Sequence, residues 1–185
     1  MTLPLVTLAV IVGMLLAETR LSRRHEELLQ QRGAVRPPGD VYAVMALAYP
    51  LGFVAMGIEG AVRAATTPPT IDVSTSLAPG FFLSGALLFA ASKALKYWAM
   101  GALGTRWTFR VYVLPGLPLV ESGPYQYVSH PNYIAVVGEL AGTAMMMGAR
   151  MTGPVVLAGF GLILALRIRF ETRVHRVAYE KIDHA

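Results

Sequence analysis

Apolar residues along this chain gather into long runs. Five of them, 3–17, 41–65, 79–100, 133–149 and 152–166, are long enough to test against a bilayer core of about 30 Å. Crossing such a core takes about 20 helical residues. The first run is uncharged. The second is interrupted only near its end, by Glu59 and Arg63, and the third carries Lys93 and Lys96 late in its length. Arg150-Met-Thr-Gly-Pro154 separates the last two and reads as a tight turn between helices. Segment 18–40 is polar and helix-prone as far as Arg32, then halts at Gly33 and Pro37-Pro38-Gly39; it reads as a solvated connector, with a helical extension or an interfacial helix as the alternative. Segment 101–132 breaks the pattern. Its stretch 107–120 is apolar, yet Pro115, Gly116, Pro118 and several β-branched residues argue against a spanning helix. Irregular backbone at a membrane persists only where it is buried in protein or lines a polar cavity. A cytoplasm-facing pocket formed by 101–132 and the C-terminal helix is therefore expected.

The pattern predicts one all-α integral membrane domain over 1–185, with about five transmembrane helices. Composition agrees, with 55% apolar and 15% charged residues. Soluble domains run at about 45–50% and about 25%. A soluble chain of this size has too little polar surface to cover such an interior, and disorder requires the opposite composition. The net charge of +5 would point to nucleic acid in a soluble protein. Here its distribution matters more. With the N-terminus outside and the C-terminus inside, all 16 basic residues except Arg63 and Arg150 fall on the cytoplasmic side. They are thus membrane-flanking, and nucleic acid is not an expected partner. Arg20, Arg23 and Arg24 follow the first apolar run, whereas a signal peptide carries its basic residues before it. The run is expected to be retained, in a multi-pass membrane protein. There is no cysteine, and His25, His130, His175 and His184 are too scattered for a zinc site, so no metal is expected.

Three places could carry chemistry. In Gly123-Pro-Tyr-Gln-Tyr-Val-Ser-His-Pro-Asn-Tyr133, Pro131 suits the first turn of a helix, which puts His130 at its cap beside free backbone N–H groups. Arg167 and Glu171 stand four apart, on one face of a helix. Glu139 lies two turns into the fourth span and needs a partner, with Tyr133 or an arginine of 106–110 the candidates. Gly138 and Gly142 beside it form a small-xxx-small pair suited to close helix packing. Trp107, Tyr112, Tyr125, Tyr127 and Tyr133 would each singly suit a membrane interface.

The 123–133 motif, followed by Arg167-Ile-Arg-Phe-Glu171, resembles the isoprenylcysteine carboxyl methyltransferase family, and the resemblance spans 97–175. It implies a membrane enzyme that uses S-adenosylmethionine without a Rossmann domain. Trp107-Thr-Phe-Arg-Val-Tyr-Val-Leu-Pro-Gly116 and the early Glu18-Thr-Arg-Leu-Ser-Arg-Arg24 resemble a bacterial branch, some of whose members O-methylate alkylpyrones or alkylresorcinols. Two positions depart from the family pattern: Ser129 replaces an arginine before His-Pro, and Thr172 replaces a second glutamate. The resemblance implies that Tyr125, Val128, His130, Pro131, Tyr133 and Glu171 bind the cofactor. Glu171 would take its amino end and His130, with nearby amides, its carboxylate. Arg167, acting with Glu171 at the reacting centre, would hold an anionic acceptor, and Trp107, Arg110 and Glu139 would lie on the acceptor side.

The expected reaction is O-methylation of a lipophilic acceptor, either a prenylcysteine-like carboxylate or an alkylpyrone-type hydroxyl. Methylation of a lipid amine or small thiol is the alternative within the class. A small transporter or channel subunit, with Glu59 and Glu139 marking an ion path, is the alternative outside it.

Overall fold

The computed structural model describes residues 2–66, 79–114 and 117–183. Among these residues the chain is helical, without strands. Five α-helices follow in order: α1 (Thr2–Gln31), α2 (Tyr42–Thr66), α3 (Pro79–Leu103), α4 (Pro131–Met147) and α5 (Thr152–Asp183). Two 3-10 turns, Gly104–Arg106 and Gly123–Gln126, punctuate the connection from α3 to α4. Three stretches are long and apolar enough to cross a membrane: Leu5–Gln31, Tyr42–Thr66 and Thr152–Val174. The other two helices differ for physical reasons. α4 has 17 residues, about 25 Å at 1.5 Å per residue, and α3 carries two lysines among its apolar positions.

The core joins Ile11 of α1, Tyr49, Phe53 and Met56 of α2, Val136 and Leu140 of α4, and Phe160 of α5. Outward positions are also apolar: Leu47, Leu87, Val155 and Leu162 each expose more than 60% of their surface. Such a belt suits hydrocarbon rather than water. α3 and α4 pack closely through small residues. A Cβ on Gly142 would lie 2.7 Å from the Gly85 carbonyl oxygen and 2.8 Å from the Phe89 amide nitrogen. The Gly138 and Gly142 pair is thus a packing device, as its spacing predicts.

Of the readings of segment 18–40, the solvated connector fails and the helical extension holds, because α1 runs unbroken to Gln31. Glu18, Ser22, Glu26 and Leu29 are all buried along one stripe of it. The helix closes where Gly33 turns to φ +81°, and Ala34 N–H donates back to Leu29 O at 2.9 Å. Beyond it, Val35 and Val113 form an isolated antiparallel bridge with bonds of 2.9 and 3.0 Å. This bridge ties 33–41 to 107–114. The end of α1 also grips the second loop: Phe109 N–H donates to Ser22 Oγ at 2.8 Å, and His25 Nδ1 lies 2.8 Å from Trp107 O. The irregular stretch 107–114 is therefore held in place by the polar face of α1.

Candidate active site

At the start of α4, His130 is the cap residue and Pro131 the first helical position. Pro131 brings no N–H, and the amides of Tyr133 and Ile134 return to His130 O at 3.1 and 3.3 Å. The expectation of several free amides there is corrected: most of the first turn is spent on the cap's own carbonyl. The His130 side chain makes no capping bond and stacks on the Tyr133 ring, with centroids 5.3 Å apart. It is thereby free to face outward from the helix end.

Across from it, α5 supplies Arg167 and Glu171 on one face, as their spacing of four predicts. Glu171 Oε1 accepts from Arg167 Nε at 2.9 Å and from the Tyr133 hydroxyl. Its other oxygen, Oε2, lies 3.7 Å from His130 Nδ1. Arg167 is almost fully buried. Its Nη1 donates to Asp40 Oδ1, its Nη2 donates to Phe109 O at 2.9 Å, and its Nε also reaches the Tyr133 hydroxyl at 3.2 Å. Tyr125, on the Gly123–Gln126 turn, lies close by. Burial first, and then the Glu171 charge, push its phenol up to about 12, so it is a neutral hydroxyl at ordinary pH. Gly123 makes that turn possible: it adopts φ +61°, and a Cβ there would meet Ala102 Cβ at 2.8 Å.

These groups line one end of a cavity of about 1260 Å³, together with Trp107, Arg110, Ser129 and Thr172. The cavity continues between α1, α2 and α5 along Leu15, Leu16, Phe53, Val54 and Phe160. One end is polar and the other apolar, which suits an amphiphile. Val128 stands apart, exposed and not lining the cavity, and Pro131 is buried behind the wall. Arg110 does line it, but Nη1 pairs with Glu26 and the guanidinium sits 4.6 Å over the Tyr42 ring.

Glu139 also lies outside the cavity lining. Its partners are not Tyr133 or an arginine of 106–110. It accepts from Tyr49 Oη at 2.6 Å and pairs with Lys93 at 3.0 Å and Lys96 at 2.9 Å. Both lysines also bind Glu18, at 2.6 and 3.0 Å. Lys93 and Lys96, expected among the cytoplasmic flanking charges, are therefore buried inside the bundle. Glu59 is engaged too, receiving Thr152 N and Oγ1 at 2.8 and 2.7 Å and so capping α5. Among the described residues there is no cluster of histidine and carboxylate side chains that could hold a metal.

Asp40 is the site residue that sequence reasoning missed. It accepts from Arg167, from Tyr42 N at 2.9 Å and from Val111 N at 3.2 Å. A signal existed: an aspartate just before an apolar helical run is a common N-cap.

The order of these groups, from the 123–133 turn and cap to the Arg167 and Glu171 face, coincides with a known family pattern over residues 85–175. Those residues match the isoprenylcysteine carboxyl methyltransferase (ICMT) family. The ICMT match and the apolar helices agree on a membrane methyltransferase. The ICMT segment contains His130, Tyr133, Arg167 and Glu171, whereas Asp40 and all of α1 and α2 lie before it. Two relatives extend the similarity to most of the chain. The uncharacterized protein YpbQ of Bacillus subtilis is 25% identical over 166 residues, covering 90% of this chain and 92% of its own. An uncharacterized protein of Haemophilus influenzae is 28% identical over 167 residues, covering 90% and 91%. No solved structure matches.

Proposed function

We propose that this protein methylates an oxygen of a lipophilic acceptor with S-adenosylmethionine, at a cavity that opens to the cytoplasm and to lipid. The observation that carries this reading is Glu171. One oxygen is fixed by Tyr133 and Arg167, while the other lies 3.7 Å from His130 Nδ1, at the polar end of a long cavity. A half-free carboxylate suits the ammonium of an amino acid moiety. Stacked His130 and Tyr133, with Tyr125 near them, suit a sulfonium or an adenine. The residues present thus fit the cofactor. When bound, it would supply an electrophilic methyl group, an O–C bond to the acceptor forming in line as the C–S bond breaks and the sulfur leaves with its electron pair.

The remaining work falls to the chain. Displacement of this kind depends mainly on holding the reactants at about 3–3.5 Å in line. Glu171 anchors one reactant. Arg167 has five N–H donors, and its contacts leave one N–H on each terminal nitrogen to orient an acceptor carboxylate or enolate. Such an acceptor is already anionic and needs no strong base. Its chain would extend along Leu16, Phe53 and Phe160, entering sideways between helices. Five crossings, N-terminus out and C-terminus in, would put Glu59 and Arg63 on the outer side and the cofactor end on the cytoplasmic side. An ion-path role for Glu59 and Glu139 has little support, since both carboxylates are occupied by structural partners.

The test is methyl transfer from labelled S-adenosylmethionine to long-chain carboxylates, phenols, amines and thiols in detergent or nanodiscs. Labelled ester or ether is the expected product. Labelled amine or thioether would move the reading to N- or S-methylation. Transfer to none of these by protein that binds S-adenosylhomocysteine would overturn the acceptor assignment. Arg167→Ala should cost turnover about 100-fold, the loss of about 2–3 kcal/mol from charged hydrogen bonds, with a much smaller change in S-adenosylhomocysteine affinity.

A further inference from the structure

We infer that Asp40 is a positioning residue of the methyl-transfer site, acting through Arg167, so that the region before the ICMT segment completes the site. The inference rests on the proposed methyltransferase reading. Asp40 touches three separate parts of the molecule: Arg167 Nη1 on α5, Val111 N in the irregular loop, and Tyr42 N at the start of α2. Its side chain is 1% exposed, so these contacts are held away from competing water. The backbone around it is built for the purpose. Pro37-Pro38 stiffens the approach, Gly39 turns at φ +90°, and a Cβ on Gly39 would lie 3.5 Å from the Phe170 ring, one residue before Glu171. The strap 35–41 therefore rests on α5 beside the two charged residues and is pinned at its other end by the Val35 and Val113 bridge.

The contact geometry of Arg167 shows what Asp40 does. Glu171 holds Nε, Phe109 O holds Nη2, and Asp40 holds Nη1. With all three nitrogens anchored, the guanidinium plane is fixed and its two remaining N–H groups point in set directions. Without Asp40, Nη1 has no charged partner, and the Val111 amide that helps shape the loop is released with it. Asp40 does not line the cavity, so it would touch neither reactant. Its effect on methyl transfer should pass mainly through the arginine, which separates it from Glu171.

The experiment is a double-mutant cycle on full-length protein, with Asp40→Asn, Arg167→Lys and the pair. The readouts are kcat, KM for the acceptor, and S-adenosylhomocysteine affinity by calorimetry. Asparagine keeps an acceptor for the Tyr42 amide while removing the charge. The expected result is a 10- to 100-fold loss of kcat in Asp40→Asn, S-adenosylhomocysteine affinity within about threefold of wild type, and a double variant no slower than Arg167→Lys alone. Losses that multiply in the double variant would overturn the inference, as would kcat within twofold of wild type in Asp40→Asn. If Asp40→Asn does not fold, Asp40→Glu replaces it in the cycle under the same criteria. Wild-type protein that transfers no methyl group would instead overturn the methyltransferase reading itself, so the two failures are distinguishable.

Discussion

Two clusters of charge stand out among the described residues, one buried and one largely buried, and they are built differently. The first joins Glu18, Lys93, Lys96 and Glu139, with two acids against two bases and each lysine bound to both carboxylates. It is closed and formally neutral. The second joins Asp40, Arg167 and Glu171, with two acids against one base. It is open, because Glu171 Oε2 has His130 Nδ1, 3.7 Å away, as its basic neighbour. Burying an ion is costly unless its charge is compensated. A closed cluster meets that cost internally and ties α1, α3 and α4 together. An open cluster carries a surplus negative charge that a cationic ligand can balance. The contrast separates a structural network from a ligand site, although both contain conspicuous glutamates.

Breaking the closed cluster should give the largest effect on stability. Glu139→Ala leaves two buried lysines with one acid between them, and removal of one partner from a buried pair costs about 3–5 kcal/mol. Thermal unfolding in detergent should show it as a large drop in Tm, with S-adenosylhomocysteine affinity retained by the folded fraction. Glu171→Ala should do the reverse. Affinity for S-adenosylhomocysteine should fall about 10- to 100-fold, from the loss of about 1.5–3 kcal/mol of charged hydrogen bonding, with little change in Tm. If Glu171→Ala unfolds the protein and Glu139→Ala abolishes binding, the assignment of the two clusters is inverted. A smaller effect belongs to Glu59, distant from both. Glu59→Ala removes the cap of α5 and should lower stability by about 1 kcal/mol, leaving methyl transfer unchanged. A drop in turnover at constant stability would show that the capped end matters to catalysis.

Local features of this site were legible in the sequence. The His130-Pro131 cap, the shared face of Arg167 and Glu171, and the packing role of Gly138 and Gly142 all follow from spacings of a few residues. What was not legible depends on contacts between distant positions. Tyr49 and Glu139 are 90 residues apart, and Asp40 and Arg167 are 127 apart. Hydropathy also misled in one place. Glu18, Ser22 and Glu26 recur on one helical face with Leu29, yet polarity made that stripe read as solvent-facing. Its burial comes from lysines and loop amides that it satisfies, which no apolar periodicity reports. Lys93 and Lys96 misled for the same reason, since lysines near a helix end resemble flanking charges until their acids are located.

The central claim is that the open cluster is a binding site for the cofactor. Calorimetric titration of purified, folded wild-type protein with S-adenosylhomocysteine tests it most directly. The account predicts saturable binding at one site per chain, weakened at least tenfold in His130→Ala and in Glu171→Ala. An absence of binding to folded wild-type protein would contradict it.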